Sequence, residues 1–279
     1  LGLSPVVRPA FTLRRIDRIA QPVFLGGQVE NIVGVLPGRD RSAPALAIMA
    51  HYDSVPGSPG AGDDAAGVAT ALEVARILRS GPTPSRDVIF LITDGEEAGL
   101  LGADAFFTQD PLARRIGFLI NMEARGGGGL VQMFQTGASN AGTIQLLQQT
   151  ARQPSASSLS VLLYSAMPND TDFTVSRAAK VDGLNFAFIG RQFDYHAASA
   201  TPAALERGSL QHMGDQVTAA AQSIARAPSL PGRGPDQVFS HIFGDVILAY
   251  PPVAGWLVLA ASAALLALAV RNARRRGAL

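Results

Sequence analysis

Two apolar runs, Ala45-Leu-Ala-Ile-Met-Ala50 and Val88-Ile-Phe-Leu-Ile92, each stop at a cluster of chemically active side chains. The first run leads into His51-Tyr-Asp53 and then Asp63-Asp64. The second leads through a Thr-Asp-Gly turn into Glu96-Glu97. A short, unbroken apolar run bounded by turn residues reads as a strand buried on both faces. Between the two lies a helical register over 65–79, with Val68, Leu72, Ala75 and Leu78 spaced for one face and Asp63–Gly67 capping its start. Ser80-Gly-Pro-Thr-Pro84 ends that helix.

The pattern repeats outward. Val29–Leu36 alternates like a strand and closes at Pro37-Gly38. A helix is expected over 98–107 and a strand over 116–121 that ends at Glu123. Further helices are expected over 141–153 and 211–227, and a strand over 184–189 that leads to Asp194-Tyr-His196. Strands alternating with helices imply an α/β fold with a mostly parallel mixed sheet. Such sheets gather ligands at the carboxyl ends of their strands, where His51, Glu96, Glu97, Glu123 and His196 fall.

Composition narrows the chemistry. The chain has 279 residues, a net charge of +1, 47% hydrophobic residues and no cysteine. Thiolate metal sites, cysteine nucleophiles and disulfides are excluded, and nothing in the charge balance points to nucleic acid. Leu1 in place of an initiator methionine suggests that the sequence is part of a longer protein. The expected organisation is a catalytic domain over 1–227, a linker over 228–252, a transmembrane helix over 253–270 and a basic cytoplasmic tail over 271–279. The uncharged Val253–Val270 segment reaches the length of a membrane span of about 17–25 residues. The arginines after it obey the positive-inside rule and leave the catalytic domain on the periplasmic or extracellular side.

Hydrolytic zinc sites combine imidazole nitrogen with carboxylate oxygen, and a two-metal site needs one carboxylate that reaches both ions. His51, Asp63, Glu97, Glu123 and His196 are the candidate ligands, and Glu96 is the spare carboxylate placed to act as general base. Gly126–Gly129 lacks the following Lys-Ser/Thr of a phosphate loop and reads as a loop near the site.

The ordered set His51-Tyr-Asp53, Asp63-Asp64-Ala-Ala-Gly67, Glu96-Glu97, Asn121-Met-Glu123-Ala-Arg-Gly126 and Tyr195-His196 resembles the M28 family of zinc metallopeptidases. Glu123 with the Asn169–Phe173 stretch is most similar to the membrane-anchored branch related to endoplasmic reticulum metallopeptidase 1. The resemblance covers roughly residues 28–225 and implies a three-layer αβα sandwich holding two zinc ions. It implies that His51 and Glu123 bind one ion, that Glu97 and His196 bind the other, and that Asp63 bridges them. Glu96 would be the base, with Asp53 orienting His51. Asp170, Asp172 and Tyr195 become candidate substrate contacts, with Tyr164 or Tyr195 as oxyanion donor. The implied activity is aminopeptidase action on a peptide or protein. A carboxypeptidase with Arg125 or Arg191 as clamp, a glutaminyl cyclase, and a non-catalytic receptor-like domain are the rivals. His51 argues against the cyclase and the complete ligand set against the receptor.

Overall fold

A computed structural model describes residues 3–16, 22–244 and 246–276. The expected strands at 45–50 and 88–92 are β3 (Ala45–His51) and β4 (Val88–Thr93), and every residue of both is buried. They pair in parallel at the centre of an eight-stranded mixed sheet. β5 (Ile116–Ala124) pairs in parallel with the other edge of β3, and β8 (Asp182–Gly190) pairs in parallel with β5. The parallel core therefore runs β4-β3-β5-β8, with all four carboxyl ends at one rim.

The outer strands were less legible. β1 (Val6–Ile16) has no counterpart in the sequence reading, and β2 (Val23–Leu36) begins six residues before the alternation at Val29. They form a long antiparallel ribbon that joins the sheet where β2 meets β4. β6 (Gly128–Thr136) and the short β7 (Ser155–Ala156) finish the opposite edge. The glycine run thus ends the turn from β5 and begins β6. It presses against the end of β8, where a Cβ on Gly126 would lie 2.1 Å from the Gly190 carbonyl oxygen.

Alternation along β3 divides the core into two layers. Leu46, Ile48 and Ala50 join one hydrophobic cluster with residues of α1 (Ala65–Ser80), α3 (Ala141–Thr150) and α6 (Arg207–Arg226). Ala45, Ala47 and Met49 join the other, with Phe106 of α2 (Leu101–Gln109) and Phe173 of α5 (Asp172–Ala178). Side chains on a strand point alternately to opposite faces, so the sheet buries both faces and the three-layer αβα sandwich follows. α4 (Ser158–Ala166) lies over β6 at the sheet's end and buries none of its residues.

Several features differ from expectation. α1 packs through Ala66, Thr70, Val74 and Leu78, while Leu72 is 51% exposed. Alanine and threonine lie closest to the sheet there, and hydropathy alone had favoured the bulkier Leu72. α2 starts at Leu101, three residues late, because Glu96–Leu100 is a tight turn in which Leu100 takes a left-handed backbone (φ 61°). α6 begins at Arg207, so Gly208 and Ser209 lie inside it.

The fourth difference is the segment expected to be a linker, 228–252. It contains a hairpin, β9 (Val238–Ile242) and β10 (Val246–Tyr250), that buries Phe239 and Ile247. The Phe239 N–H donates to Ser158 Oγ, and Gln148 Nε2 donates to the Ile247 carbonyl. The alternating pattern of this hairpin is too short to stand out from the Pro/Gly-rich residues before it.

The last helix, α7 (Pro252–Arg275), is longer than the 253–270 expected and continues through Arg271, Arg274 and Arg275. The helical part of the expected tail ends there, and 277–279 lie outside the described residues. None of its apolar window is buried, which excludes a core helix, and its mean hydropathy over that window is 2.3. At 1.5 Å per residue it extends about 36 Å, enough for the roughly 30 Å hydrocarbon layer.

Leu78→Ala is expected to cost about 2–5 kcal/mol by chemical denaturation, because it empties a packed position. Leu72→Ala is expected to stay within about 0.5 kcal/mol. Comparable losses at both positions would place α1 in a different register.

Candidate active site

His51 is the last residue of β3 and is 1% exposed. Its Nδ1 lies 2.9 Å from the backbone carbonyl of Asp53. A carbonyl can only accept, so Nδ1 carries the proton and Nε2 offers a lone pair. Nε2 faces Asp63 Oδ1 at 3.1 Å and Glu123 Oε2 at 3.7 Å. The other Asp63 oxygen, Oδ2, faces His196 Nε2 at 3.3 Å, and that nitrogen lies 3.0 Å from Glu97 Oε1. Asp63 thus gives one oxygen to each imidazole.

Two trios result, His51–Asp63–Glu123 and Asp63–Glu97–His196, each with donor atoms within 4.8 Å of one another. Donors at about 2.0–2.2 Å from a tetrahedral zinc lie roughly 3.3–3.5 Å apart, and the spacings here scatter around that range. Glu97 Oε1 is buried and makes no hydrogen bond, although His196 Nε2 is 3.0 Å away. Two lone pairs aimed at a common point give that geometry. The donor set therefore fits two divalent cations.

Electrostatics agree. Burial, followed by the charge of Glu123, raises the Glu96 carboxyl well above the usual range. Burial, followed by the Asp63 charge, pushes Glu97 up to about 7. Burial also raises Glu123. Burial acts to raise Asp63 too, but in the metal-free site His196 and His51, when protonated, outweigh it and leave its pKa lowered. Carboxylates crowded in a buried site hold protons unless cations replace them.

The supporting residues come from several elements. Asp53 was expected to orient His51. Its backbone carbonyl does so, while its carboxylate sits 3.5 Å from Nδ1 and accepts the N–H groups of both Glu96 (3.0 Å) and Glu97 (3.1 Å). Asp64 caps α1 through the Gly67 N–H and accepts the His51 N–H, so it fixes backbone, as expected of a carboxylate left out of the ligand set. Asn121 Nδ2 donates to Glu123 Oε1 and to Asn185 Oδ1, its register partner on β8. Asn185 in turn donates to Thr171 Oγ1. The sequence reading assigned neither asparagine a role. An asparagine inside each of two apolar strands was the signal, because a fully buried amide needs partners.

Asp172 departs from expectation. It was a candidate substrate contact but is 1% exposed, accepts a hydrogen bond from Thr93 Oγ1 at the end of β4, and does not line the cavity. Its place at the start of α5 turns it into the core beneath the site. Asp170 does line the cavity and accepts from Thr174 Oγ1. Tyr195 lines it too and stacks on His196 with ring centres 3.7 Å apart. The remaining histidines serve backbone: His212 Nδ1 accepts the Val131 N–H, and His241 Nδ1 accepts the Ala156 N–H.

The cavity holds about 780 Å³. Asp63, Glu96, Glu97 and Glu123 form its floor, and Phe134, Leu163, Met167 and Ile189 supply apolar wall. Tyr164, on α4, lines it with a buried hydroxyl that has no hydrogen-bond partner among the described residues.

The profile of peptidase family M28 matches residues 31–221. Endoplasmic reticulum metallopeptidase 1 of Mus musculus is 34% identical over 84% of this chain and 28% of its own length. A vacuolar membrane protease of Candida dubliniensis is 36% identical over 66% of this chain and 20% of its own length. The chain thus spans about a quarter of the length of the curated relatives it matches. Among solved structures, the zinc aminopeptidase BSAP of Bacillus subtilis superposes with a TM-score of 0.59 at 22% identity, covering 76% of this chain and 55% of that one. A glutaminyl cyclase of Fimbriiglobus ruber gives 0.51 at 18% identity, covering 79% and 82%.

Asp53→Ala is expected to weaken metal binding by about 10–100-fold in chelator competition, because it releases the amide of the candidate ligand Glu97 together with that of Glu96. A second outcome concerns pH. Burial, opposed by the Thr93 hydrogen bond, pushes Asp172 up to about 7 from 3.8. The folded chain then holds this proton where the unfolded chain has lost it. Stability of the metal-free protein should fall as pH rises from about 4 to 7, and Asp172→Asn should flatten that slope in urea midpoints.

Proposed function

This chain belongs to peptidase family M28, and from that premise we propose that it is a two-zinc aminopeptidase that removes residues from the free amino end of peptides. The observation that carries the reading is Asp63, whose two oxygens face different imidazoles, with the buried Glu96 beside the ligand Glu97. His51 and Glu123 hold one ion, Glu97 and His196 the other, and Asp63 serves both. When bound, the zinc ions supply Lewis acidity to the scissile carbonyl and lower the pKa of an attacking water.

Glu96 takes a proton from that water and returns it to the leaving amine. Its burial supports this role, since a desolvated carboxylate holds a proton more tightly than a solvated one. Asp53 keeps base and ligand in step, because one carboxylate accepts both of their backbone amides. Tyr164 offers the unclaimed hydroxyl in the cavity, and its hydrogen bond meets the oxygen on which negative charge develops. Burial raises its pKa, which keeps it a donor. Besides the base Glu96, Asp170 is the cavity carboxylate placed outside both trios, and it receives the substrate's α-ammonium group.

The wider placement follows from α7. The helix anchors the domain to a membrane, and the arginines at its carboxyl end stay on the cytoplasmic side, leaving the site on the other side. Relatives that are membrane proteases support the anchored reading. The presence of the His51–Glu123 pair beside the Glu97–His196 pair supports two ions rather than the single ion of a cyclase.

The test uses the full chain in detergent. Metal analysis is expected to return two zinc ions per chain, with cleavage of aminoacyl peptides and none of their N-acetylated forms. Glu96→Ala is expected to keep both ions and lose about 10²–10⁴-fold in kcat. Release of C-terminal residues from N-acetylated peptides would sink the aminopeptidase assignment, and full turnover by the variant would remove Glu96 as base.

A further inference from the structure

Three arginines stand near the cavity, and their guanidinium groups are used differently. Arg14 lines the wall, with Nη1 donating to the Gly99 carbonyl at 2.9 Å. Arg191 is paired with Asp194 at 3.0 Å, lies over Phe193 and does not line the cavity. Arg125 lines the cavity and has neither a side-chain hydrogen bond nor an ion pair among the described residues. Its guanidinium carbon lies 5.6 Å from the centre of the Tyr195 ring.

The position of Arg125 is set by the backbone. It follows β5 directly, and its N–H donates to the Phe188 carbonyl on β8. Residues two apart along a strand share a face and lie roughly 7 Å apart, so Arg125 stands one step outward from the ligand Glu123. Tyr195, against which it rests, stacks on the ligand His196. The cation therefore lines the cavity next to both trios, beside Glu123 along the chain and against the Tyr195 ring that stacks on His196.

The cluster does not need it as a counter-ion. Two dications balance the four carboxylates of Asp63, Glu96, Glu97 and Glu123. A guanidinium that lines the cavity, with five N–H donors and no protein acceptor among the described residues, is open to an acceptor that enters the cavity. The planar fork matches a carboxylate in bidentate fashion.

We propose that Arg125 is a carboxylate-recognition site that selects peptides bearing a carboxylate within one residue of the scissile bond. This rests on the peptidase reading above. The carboxylate has two sources with the same chemistry, the free C-terminus of a dipeptide and the side chain of Asp or Glu.

Three substrates separate the sources: Leu-Ala, Leu-Ala-amide and Leu-Glu-amide, assayed with the zinc-loaded full chain. A hydrogen-bonded charge pair contributes about 1.5–3 kcal/mol, or roughly 10–100-fold. The wild type is expected to favour at least one carboxylate substrate over Leu-Ala-amide by about tenfold or more in kcat/KM, through KM. Preference for Leu-Ala identifies the C-terminus, and preference for Leu-Glu-amide identifies the side chain. Arg125→Ala is expected to bring that ratio to within about twofold of unity, and Arg125→Lys to restore part of it. Calorimetric binding of the same three peptides to zinc-loaded Glu96→Gln, with and without Arg125→Ala, should show the same gap without turnover. A wild type that does not discriminate, or an Arg125→Ala variant that weakens all three substrates equally, overturns the proposal and leaves Arg125 as packing for Tyr195. Loss of all hydrolysis by the wild type would count against the peptidase reading alone, since the binding experiment still reports on Arg125.

Discussion

The carboxylate of Asp63 is the constraint around which the rest is arranged. Its two oxygens face two imidazoles that arrive from distant parts of the chain, at 3.1 and 3.3 Å. Neither His51 nor His196 could form a trio without it. That demand places Asp63 at the mouth of α1, where Asp64 caps the helix and ties it back to the His51 amide. A buried group of carboxylates is unfavourable by itself, as the raised pKa values of Glu96, Glu97 and Glu123 record. The surrounding fold must hold those charges together until cations arrive.

The sheet meets that demand by geometry. β4, β3, β5 and β8 are adjacent and parallel, so their carboxyl ends deliver Glu96 and Glu97, His51, Glu123, and the loop to His196 along one rim. Their interiors are buried on both faces, which gives the rim a rigid base. Hydrogen bonds cross between strands at the level of the site, through Asn121–Asn185 and Thr93–Asp172. His196 itself takes a left-handed backbone (φ 54°). Such a conformation persists in a non-glycine residue where its surroundings over-determine it, and here the Tyr195 stack and two carboxylates do so.

The cavity above this rim is built by elements that differ in character from the core. α4 contributes Ser160, Leu163 and Tyr164 while burying none of its residues. The β9–β10 hairpin seals Phe239 and Ile247 close to α4 and leads directly into α7. The floor is therefore rigid and charged, and the wall is apolar. α7, the candidate membrane span, leaves the domain from the same edge of the fold that carries α4.

The sequence by itself determined what depends on local pattern. Unbroken apolar runs marked β3 and β4, and mostly apolar runs marked β5 and β8; the charged residues and histidines at their ends marked the candidate ligands, because a strand buried on both faces can carry such groups only where it emerges. The uncharged stretch before Arg271 marked α7 for the same kind of reason. Tertiary structure decided what depends on partners. β1 and the β9–β10 hairpin carry weak patterns and are fixed by pairing and packing. The buried face of α1 runs through Ala66 and Thr70 rather than Leu72, because closeness to the sheet outweighs hydropathy. Asp170 and Asp172 stand two residues apart in one acidic stretch, yet one lines the cavity and the other is sealed against Thr93. No property of either residue distinguishes them; the start of α5 turns their side chains in different directions, and that turn exists only once the helix is packed on the sheet.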